Sequence, residues 1–457
     1  MFLLYNREGK WYTESNRKEG ARYMAKIQVN SQKIVKKMKP MHGGGQPPVN
    51  CHATDEHFHY LTEAGIPYSR LHDVEWAFGG GKYVDIPVIF RNFDADENDP
   101  ANYDFTFTDL LLEQLIKAGV EPYYRLGVTI ECAFQVKHFT ISPPKDFDKW
   151  ARICEHVMAH YLEGWADGFH HKITYWEIWN EPDYYIGGNW QGTPEEFFEF
   201  FKIAFLYLRK RFPEIKLGGP ALANNLPWAR AFLEKMVEGE RAELDFFSWH
   251  IYTTNAEKML DRAKKVADLL EEFGYGHVEK HLNEWNYIEN WTTQFIDSVR
   301  VIKGLKGAAY DFAFMAVGQN SPYLDMMMYY DARPDKEYNG LWDSHFMLPL
   351  KGYYAFDFYS TLYQLGTQTA VECDDTDLYV LAATNGEENA AVISYYTCDP
   401  EAKEKTFVLN LGTSDSYVIY SIDEDRDGEK IAAFAGTAIE ITMKPNTLIK
   451  ITNGGCI

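Results

Sequence analysis

Short apolar segments alternate with amphipathic helical segments from about residue 33 to residue 365. The apolar segments have the length of strands, and several are almost continuously apolar, which is typical of strands buried on both faces. They lie at 33–41, 66–71, 121–128, 172–179, 215–221, 244–252, 278–285 and 324–330. Eight strand and helix units predict an α/β fold, a (β/α)8 TIM barrel, with an open doubly wound sheet as the alternative.

The pattern changes after residue 366, where strand segments follow one another without helices between them. These segments lie at 378–383, 390–396, 406–411, 417–422 and 448–452. Asn385-Gly386 and Asp427-Gly428 are typical of hairpin turns, so we expect a C-terminal antiparallel β-sandwich domain. The predicted division is an N-terminal arm over 1–32 that packs in part on this domain, a barrel over 33–365 and an accessory sandwich over 366–457.

The charge balance excludes two classes of partner. The 45 basic and 67 acidic residues give a net charge of −22, which opposes binding to nucleic acid and to anionic membranes. The six cysteines form no C-x-x-C pair, so we expect free thiols, no cofactor and no metal site. One cluster resembles metal ligands, but its spacing favours a solvated helix: His52, Asp55, Glu56, His57 and His59.

The first residues contain no apolar segment of signal-peptide length, which predicts a cytoplasmic location. Lys18-Glu19-Gly20 back-translates to a purine-rich sequence of the ribosome-binding type shortly before Met24. Two interpretations of residues 1–23 stay open: an extension ahead of a natural start at Met24, or an arm that packs on the body of the protein.

Two strand segments end in a glutamate among aromatic residues. They are Tyr175-Trp176-Glu177-Ile178-Trp179-Asn180-Glu181-Pro182-Asp183 and His281-Leu282-Asn283-Glu284-Trp285-Asn286. Pro182 disfavours the right-handed helical region for Glu181, so we expect extended backbone there. The carboxyl ends of all barrel strands meet in one mouth, which predicts that Glu181 and Glu284 face each other.

Two opposed carboxylates suit the cleavage of glycosides. One must be protonated to donate to the leaving oxygen, and the other must be ionised to attack the anomeric carbon. We expect the charge of Glu284, together with apolar walls such as Trp179, to raise the pKa of Glu181. Carboxyl groups ~5–5.5 Å apart indicate a retaining mechanism, and ~6.5–9.5 Å an inverting one.

In these segments the chain resembles glycoside hydrolase family 39, which holds β-xylosidases and α-L-iduronidases within the clan of retaining (β/α)8-barrel glycosidases. The resemblance extends over about residues 34–365. It implies that Glu181 is the acid/base, that Glu284 is the nucleophile and that Asn180 holds the 2-hydroxyl group of the sugar. It also implies that His250 and Tyr252 line the donor-sugar site, with Tyr252 beside Glu284.

The same resemblance implies further substrate-binding residues. Arg70 and His72 are similar to an Arg-x-His motif of the second strand, and Arg70 is expected to bond Glu284 and keep it ionised, or else to serve as an ion-pair partner in the core. His42 is similar to a sugar-binding histidine of the first strand.

Aromatic and basic residues near the mouth leave the choice of sugar open. Candidate sugar platforms are Trp190, Trp285, Trp291 and Trp342. Arg125 stands where the xylosidases of this family tend to have an acidic residue. It is expected either to clamp a uronate carboxylate or to pair with Glu131 or Glu284.

The sequence therefore predicts a retaining O-glycoside hydrolase that acts by double displacement on short oligosaccharides, resembling an exo-acting β-xylosidase. The alternatives are another specificity (α-L-arabinofuranosidase, uronidase or endo-glycosidase) and a non-catalytic carbohydrate-binding barrel. The expected partner is an oligosaccharide or glycoside substrate, without nucleic acid or membrane, and a homo-oligomer stays open.

Overall fold

The computed structural model describes residues 3–5, 11–13, 25–49, 57–74, 82–129, 141–184, 189–334, 336–343 and 348–454. Residues 18–24, which bear on the start of the protein, and three members of the histidine and acidic cluster, at 52, 55 and 56, lie outside these ranges. Within the described ranges, no helix has both the length and the apolar character that crossing a membrane requires.

Three strands precede the barrel. β1 (Leu3–Tyr5) and β2 (Trp11–Thr13) form an antiparallel pair. β3 (Ala25–Lys37) alternates buried and exposed residues over its first half, as a strand does when one face covers a core. The predicted barrel strand at 33–41 is therefore wrong, because residues 33–37 belong to β3, which pairs with the C-terminal sheet.

Eight parallel strands close into a barrel in chain order, and the last pairs with the first. They are β4 (Gly43–Gly45), β5 (Tyr68–Leu71), β6 (Glu121–Leu126), β7 (Tyr175–Ile178), β8 (Lys216–Leu222), β9 (Phe246–Tyr252), β10 (Glu279–Asn286) and β11 (Met326–Tyr330). The predicted (β/α)8 fold is confirmed. β4 consists of glycines because a Cβ on Gly43 or Gly45 would lie 3.0 or 2.9 Å from carbonyl oxygens of β11.

Helices surround the barrel. They are α1 (Phe58–Glu63), α2 (Ile86–Ile89), α3 (Thr106–Lys117), α4 (Phe147–Leu162), α5 (Pro194–Arg211), α6 (Leu226–Val237), α7 (Ala256–Glu272), α8 (Phe295–Ile302), α9 (Leu305–Asn320) and α10 (Lys351–Leu365). α5 begins with a complete capping box between Thr193 and Glu196. α10 ends at Leu365 and is capped by Gly366, whose φ of 82° is the left-handed conformation that glycine adopts without strain.

The remaining strands form the C-terminal sheet together with β3. They are β12 (Thr367–Cys373), β13 (Leu378–Thr384), β14 (Asn389–Tyr395), β15 (Lys405–Ile422), β16 (Asp427–Met443) and β17 (Thr447–Thr452). The predicted C-terminal antiparallel domain is confirmed. β15 pairs with β3 through its first half and with β17 through its second half, so the sheet closes around its own apolar core. The segments predicted at 406–411 and 417–422 are thus one continuous strand.

α9 joins the two parts of the molecule. It contacts β11 of the barrel on one side and β13, β14 and β17 on the other. Buried residues therefore occur all around α9, as expected for a helix covered on every side. The hydroxyl of Ser394 in β14 donates to the carbonyl oxygen of Ala309 in α9 at 2.8 Å.

The place of β3 in the second core can be tested with two isoleucines on that strand. Ile27 is 1% exposed, whereas Ile34 is 57% exposed. Ile27→Ala is expected to lower the free energy of unfolding by about 2–5 kcal/mol through lost burial and a cavity. Ile34→Ala, the matched control, is expected to change it by less than about 0.5 kcal/mol. Denaturant unfolding measures both, and equal effects would contradict the placement of β3.

Candidate active site

The carboxyl ends of the barrel strands bring the two predicted glutamates together. Glu284 lies in β10, and Glu181 lies three residues beyond the end of β7. One oxygen of each carboxylate and one ring nitrogen of His250, which lies in β9, are all within 4.8 Å of one another. This separation is far closer to the ~5–5.5 Å of a retaining carboxylate pair than to the ~6.5–9.5 Å of an inverting pair.

Glu284 is held by two donors. Nη1 of Arg70 donates to its Oε1 at 2.7 Å, and the hydroxyl of Tyr252 donates to its Oε2 at 2.8 Å. Burial raises the pKa of Glu284, and the positive charge of Arg70 opposes that rise. Both hydrogen bonds stabilise the ionised carboxylate.

The backbone at Glu181 is not extended. Pro182 does exclude the right-handed helical region, but Glu181 takes the left-handed region with a φ of 45°. Its N–H donates to the carbonyl oxygen of Ala221 in β8 at 2.9 Å. The predicted extended conformation is therefore wrong, because a tertiary hydrogen bond holds a backbone geometry that locally costs about 1–3 kcal/mol.

The carboxyl group of Glu181 is tuned to hold a proton. Burial raises its pKa to about 8, and repulsion from Asp183 contributes to the rise. The repulsion that raises the pKa of Glu181 therefore comes from Asp183, whereas the sequence analysis expected it from Glu284. The charge of Glu284 is compensated by Arg70. Nδ1 of His250 lies 2.6 Å from Oε1 of Glu181. Burial lowers the pKa of His250, so the imidazole is neutral and its Nδ1 can accept the proton that Glu181 carries.

Asp183 is anchored at the start of α6. Its carboxylate accepts the N–H groups of Ala223, Asn224 and Asn225 at 2.8–2.9 Å. These three N–H groups belong to the turn that leads into α6, and together they fix the orientation of the carboxylate. The backbone just before α6 therefore holds the carboxylate of Asp183 in place two residues beyond Glu181.

Glu177 is a functional position that the sequence analysis missed. This carboxylate in β7 is fully buried, and it accepts hydrogen bonds from Nε of Arg70 at 2.7 Å, the hydroxyl of Ser248 at 2.6 Å and Nδ2 of Asn283 at 2.6 Å. The signal was available in the sequence, since a charged residue inside an apolar strand requires buried partners.

Two other predicted residues lie beside this network. Oδ1 of Asn180 accepts from Nη2 of Arg70 at 2.7 Å, and Nδ2 of Asn180 has no hydrogen-bond partner in the described part of the chain. Nε2 of His72 lies 3.9 Å from Oε1 of Glu284 and 3.2 Å from Oδ1 of Asp73. Burial lowers the pKa of His72 well below its ordinary value, so this ring is neutral.

His42 and Trp285 are not brought to the carboxylate pair. Nε2 of His42 lies 3.0 Å from the carbonyl oxygen of Gly65, and its ring packs on two tyrosines of α10. Trp285 packs on aromatic rings of α9 because neighbouring residues of a strand face opposite sides, and Glu284 takes the inner side. Both side chains are completely buried and pack away from the carboxylate pair, so these contacts do not support the predicted sugar-binding roles, which stay predictions.

Arg125 is bound within the protein. Its Nη2 donates to Oδ1 of Asp85 at 2.6 Å, and Asp85 also accepts from the N–H and hydroxyl of Thr129. Of the two predicted partners, Glu131 lies outside the described residues and Glu284 is bound by Arg70 instead. Arg125 is completely buried, so its guanidinium offers no surface to a uronate carboxylate.

The other candidate platforms differ in exposure. Trp190 and Trp342 are buried, whereas Trp291 is 56% exposed. The ring of Trp291 lies 5.1 Å from the ring of Tyr252, centroid to centroid. Trp291 is therefore the one of these three tryptophans that stands open to solvent next to the nucleophile side of the site.

The described residues contain one group with metal-like spacing, formed by Glu181, His250 and Glu284. Glu284 already accepts a hydrogen bond from the guanidinium of Arg70 at 2.7 Å. That positive charge would repel a cation, and the carboxylate–imidazole contact is satisfied by a proton. The arrangement therefore fits proton transfer better than metal binding.

Comparison with known proteins identifies the family of the chain. A sequence profile described as Glycosyl hydrolases family 39 matches residues 25–316, well over half of the chain. A β-xylosidase of Geobacillus stearothermophilus is 24% identical over 282 residues, covering 55% of this chain and 53% of that protein. A β-xylosidase of Caldicellulosiruptor saccharolyticus is 27% identical over 274 residues, covering 55% and 50%. The chain spans about half the length of these curated relatives.

The fold is also found in solved structures. The crystal structure of a glucosidase from Croceicoccus marinus matches with a TM-score of 0.77 and 22% identity, covering 94% of this chain and 99% of that chain. At this identity the likeness concerns the fold alone.

The dependence of the site on Arg70 can be measured as stability. Arg70→Met leaves the carboxylates of Glu177 and Glu284 buried without their cation, and we expect the free energy of unfolding to fall by about 3–5 kcal/mol. Arg91→Met is the matched control, because Arg91 is 67% exposed and pairs with Asp104 at 2.8 Å. Its loss is expected to stay below about 1 kcal/mol. Similar losses in denaturant titrations of both variants would contradict the assigned role of Arg70.

Proposed function

The chain belongs to family 39 of the glycosyl hydrolases, a family of retaining glycosidases, and from this premise we propose that it hydrolyses β-xylosides. Glu181 acts as the acid/base and Glu284 as the nucleophile. The observation that carries the proposal is the asymmetry of the pair: Arg70 bonds Glu284 at 2.7 Å, whereas burial and Asp183 raise the pKa of Glu181 to about 8. Double displacement needs this difference in protonation between two carboxyl groups.

The first step forms a bond to Glu284. Its carboxylate attacks the anomeric carbon while the proton of Glu181 moves to the leaving oxygen, and the bond between that oxygen and the anomeric carbon breaks. Arg70 and Tyr252 hold the two oxygens of the nucleophile in place for this attack. The product is a covalent glycosyl-enzyme and a free aglycone.

The second step reverses the roles. Glu181, now ionised, takes a proton from a water molecule that attacks the anomeric carbon, and Glu284 leaves with its bonding electrons. Nδ1 of His250, 2.6 Å from Glu181, accepts a hydrogen bond from the protonated acid/base, whereas a bond to the ionised form requires the tautomer that carries its hydrogen on Nδ1. The sugar is released with the anomeric configuration it had in the substrate.

The proposed substrate is the terminal xylose of a short oligosaccharide. Two relatives carry the name β-xylosidase, which supports the sugar. The side chains of Glu181 and Glu284 are only 12% and 6% exposed, which supports a narrow pocket that receives a chain end. Nδ2 of Asn180, a buried donor without a hydrogen-bond partner in the described part of the chain, is the atom we propose for the 2-hydroxyl group.

A panel of nitrophenyl glycosides tests this proposal. The β-xyloside, β-glucoside, α-L-arabinofuranoside, β-glucuronide and β-galactoside are compared by kcat/KM, and NMR identifies the anomer released first. We expect the highest value for the β-xyloside and β-xylose as the first product. Release of α-xylose would contradict retention, and calorimetric binding of sugars without any turnover would favour a carbohydrate-binding barrel.

The roles of the two glutamates predict different failures. Glu284→Gln removes the nucleophile and is expected to lose several orders of magnitude in kcat for every substrate. Glu181→Gln is expected to lose about 10²–10⁴-fold on a phenyl β-xyloside, and much less in kcat/KM on a dinitrophenyl β-xyloside, whose leaving group needs no proton. Parent-like activity of either variant on the phenyl substrate would refute the assignment.

The pH dependence follows from the raised pKa of Glu181. The acid form of Glu181 is active, so kcat/KM is expected to fall as the pH rises through about 8. On the acid side kcat/KM falls as Glu284 becomes protonated, because the nucleophile must be ionised. Asp183→Asn removes a like charge, which lowers the pKa of Glu181 and moves the fall on the alkaline side to lower pH. Asp146→Asn, at the capped start of α4, is the matched control and should leave the profile unchanged. An unshifted profile in Asp183→Asn would exclude Asp183 as a cause.

A further inference from the structure

We propose that Ser248 is a positioning residue for Glu181, although it does not contact that side chain. The inference deepens the proposed function and rests on it. Ser248 lies in β9 and is completely buried, next to the strand that borders the turn carrying Glu181. It belongs to the hydrogen-bond network of Glu177 and not to the surface that a sugar can reach.

A short chain of hydrogen bonds leads from Ser248 to the acid/base. The hydroxyl oxygen of Ser248 accepts the N–H of Ala221 at 2.9 Å. The carbonyl oxygen of Ala221 accepts the N–H of Glu181, also at 2.9 Å. Through these two hydrogen bonds of Ala221, the position of the Ser248 hydroxyl helps to fix the position of the Glu181 backbone.

The backbone along this chain needs external support. Ala221 has a φ of 56° and Glu181 a φ of 45°, and both lie in the left-handed region that costs free energy for residues with a Cβ. Loss of the acceptor for Ala221 leaves a buried N–H without a hydrogen bond. The strained turn is then expected to change its conformation, because this relieves the cost of the unsatisfied N–H. Even a shift of about 1 Å at a catalytic group costs up to about 10²-fold in rate.

Glu177 makes Ser248 a fixed acceptor. The single proton of the Ser248 hydroxyl is donated to Oε1 of Glu177 at 2.6 Å, so its lone pairs are left for Ala221. A bond to an ionised acceptor is stronger than one between neutral groups, and it locks the orientation of the hydroxyl.

The effect of Ser248 should be confined to the acid/base. Glu177 reaches the nucleophile side by separate bonds, to Nδ2 of Asn283 and to Nε of Arg70, and neither passes through Ser248. Removal of the hydroxyl therefore disturbs proton donation by Glu181 while Glu284 keeps its donors. This selectivity distinguishes a positioning role from a general role in packing.

The test compares leaving groups within each variant. We expect Ser248→Ala to lower kcat/KM at least ~10-fold on phenyl β-xyloside and less than ~3-fold on dinitrophenyl β-xyloside, because only the first substrate needs the proton. The ratio of the two values does not depend on the folded fraction. Ser248→Thr retains the hydroxyl and should bring the ratio back toward that of the parent protein.

Ser69→Ala serves as the matched control, since Ser69 is a buried serine of β5 whose hydroxyl has no hydrogen-bond partner within the described ranges. Its ratio should equal that of the parent. An unchanged ratio in Ser248→Ala, or equal losses on both substrates, would overturn this inference alone. If the parent protein hydrolyses neither xyloside, the proposed function fails first and the inference fails with it.

Discussion

The bonds of one arginine hold the site together. Arg70, in β5, donates at 2.7 Å to Glu177 in β7, to Asn180 just beyond β7 and to Glu284 in β10, so its bonds join three strands of the barrel. Burying a cation and two carboxylates is costly, and the cost is repaid only when every donor and acceptor is matched. Glu177 accepts three hydrogen bonds and Glu284 accepts two, so the matching is close to complete.

This arrangement makes two identical side chains chemically different. Glu284 lies within a strand, where Arg70 reaches it directly. Glu181 lies beyond a strand end, turned by a positive φ toward His250, and it is given no guanidinium of its own. Burial raises the pKa of both carboxyl groups, and the charge of Arg70 opposes the rise in both, but the guanidinium donates a hydrogen bond to Glu284 and not to Glu181. The two glutamates therefore differ in protonation state because of their positions, one within a strand and one beyond a strand end, although the residue type is the same.

Sequence patterns predicted the features of the structure that follow from regular local patterns of apolar and polar residues. The apolar strands predicted the barrel, and the glutamates at strand ends predicted which side chains would meet. They missed β4 because its glycines carry no hydrophobic signal, and β3 because its pairing with β12 joins residues more than 300 positions apart. The extended backbone expected at Glu181 was overruled by a bond to Ala221, which no local rule contains. Trp285 was assigned to the sugar because the sequence does not reveal the register of its strand. The register decides which side of the strand each residue faces.

The pKa of Glu181 depends on residues that never approach it. Burial is the largest cause of the raised pKa of Glu181. Burial requires that water be excluded from the barrel interior beneath the site as well as from the side chains around it. Inside the barrel, below the site, Tyr123, Tyr175 and Phe246 pack with methionines of β11 into an apolar layer. Tyr123 stacks on Tyr175 with 5.4 Å between the ring centres. Packing of this kind keeps the local dielectric low, so the aromatic interior that stabilises the barrel also strengthens every charge interaction above it.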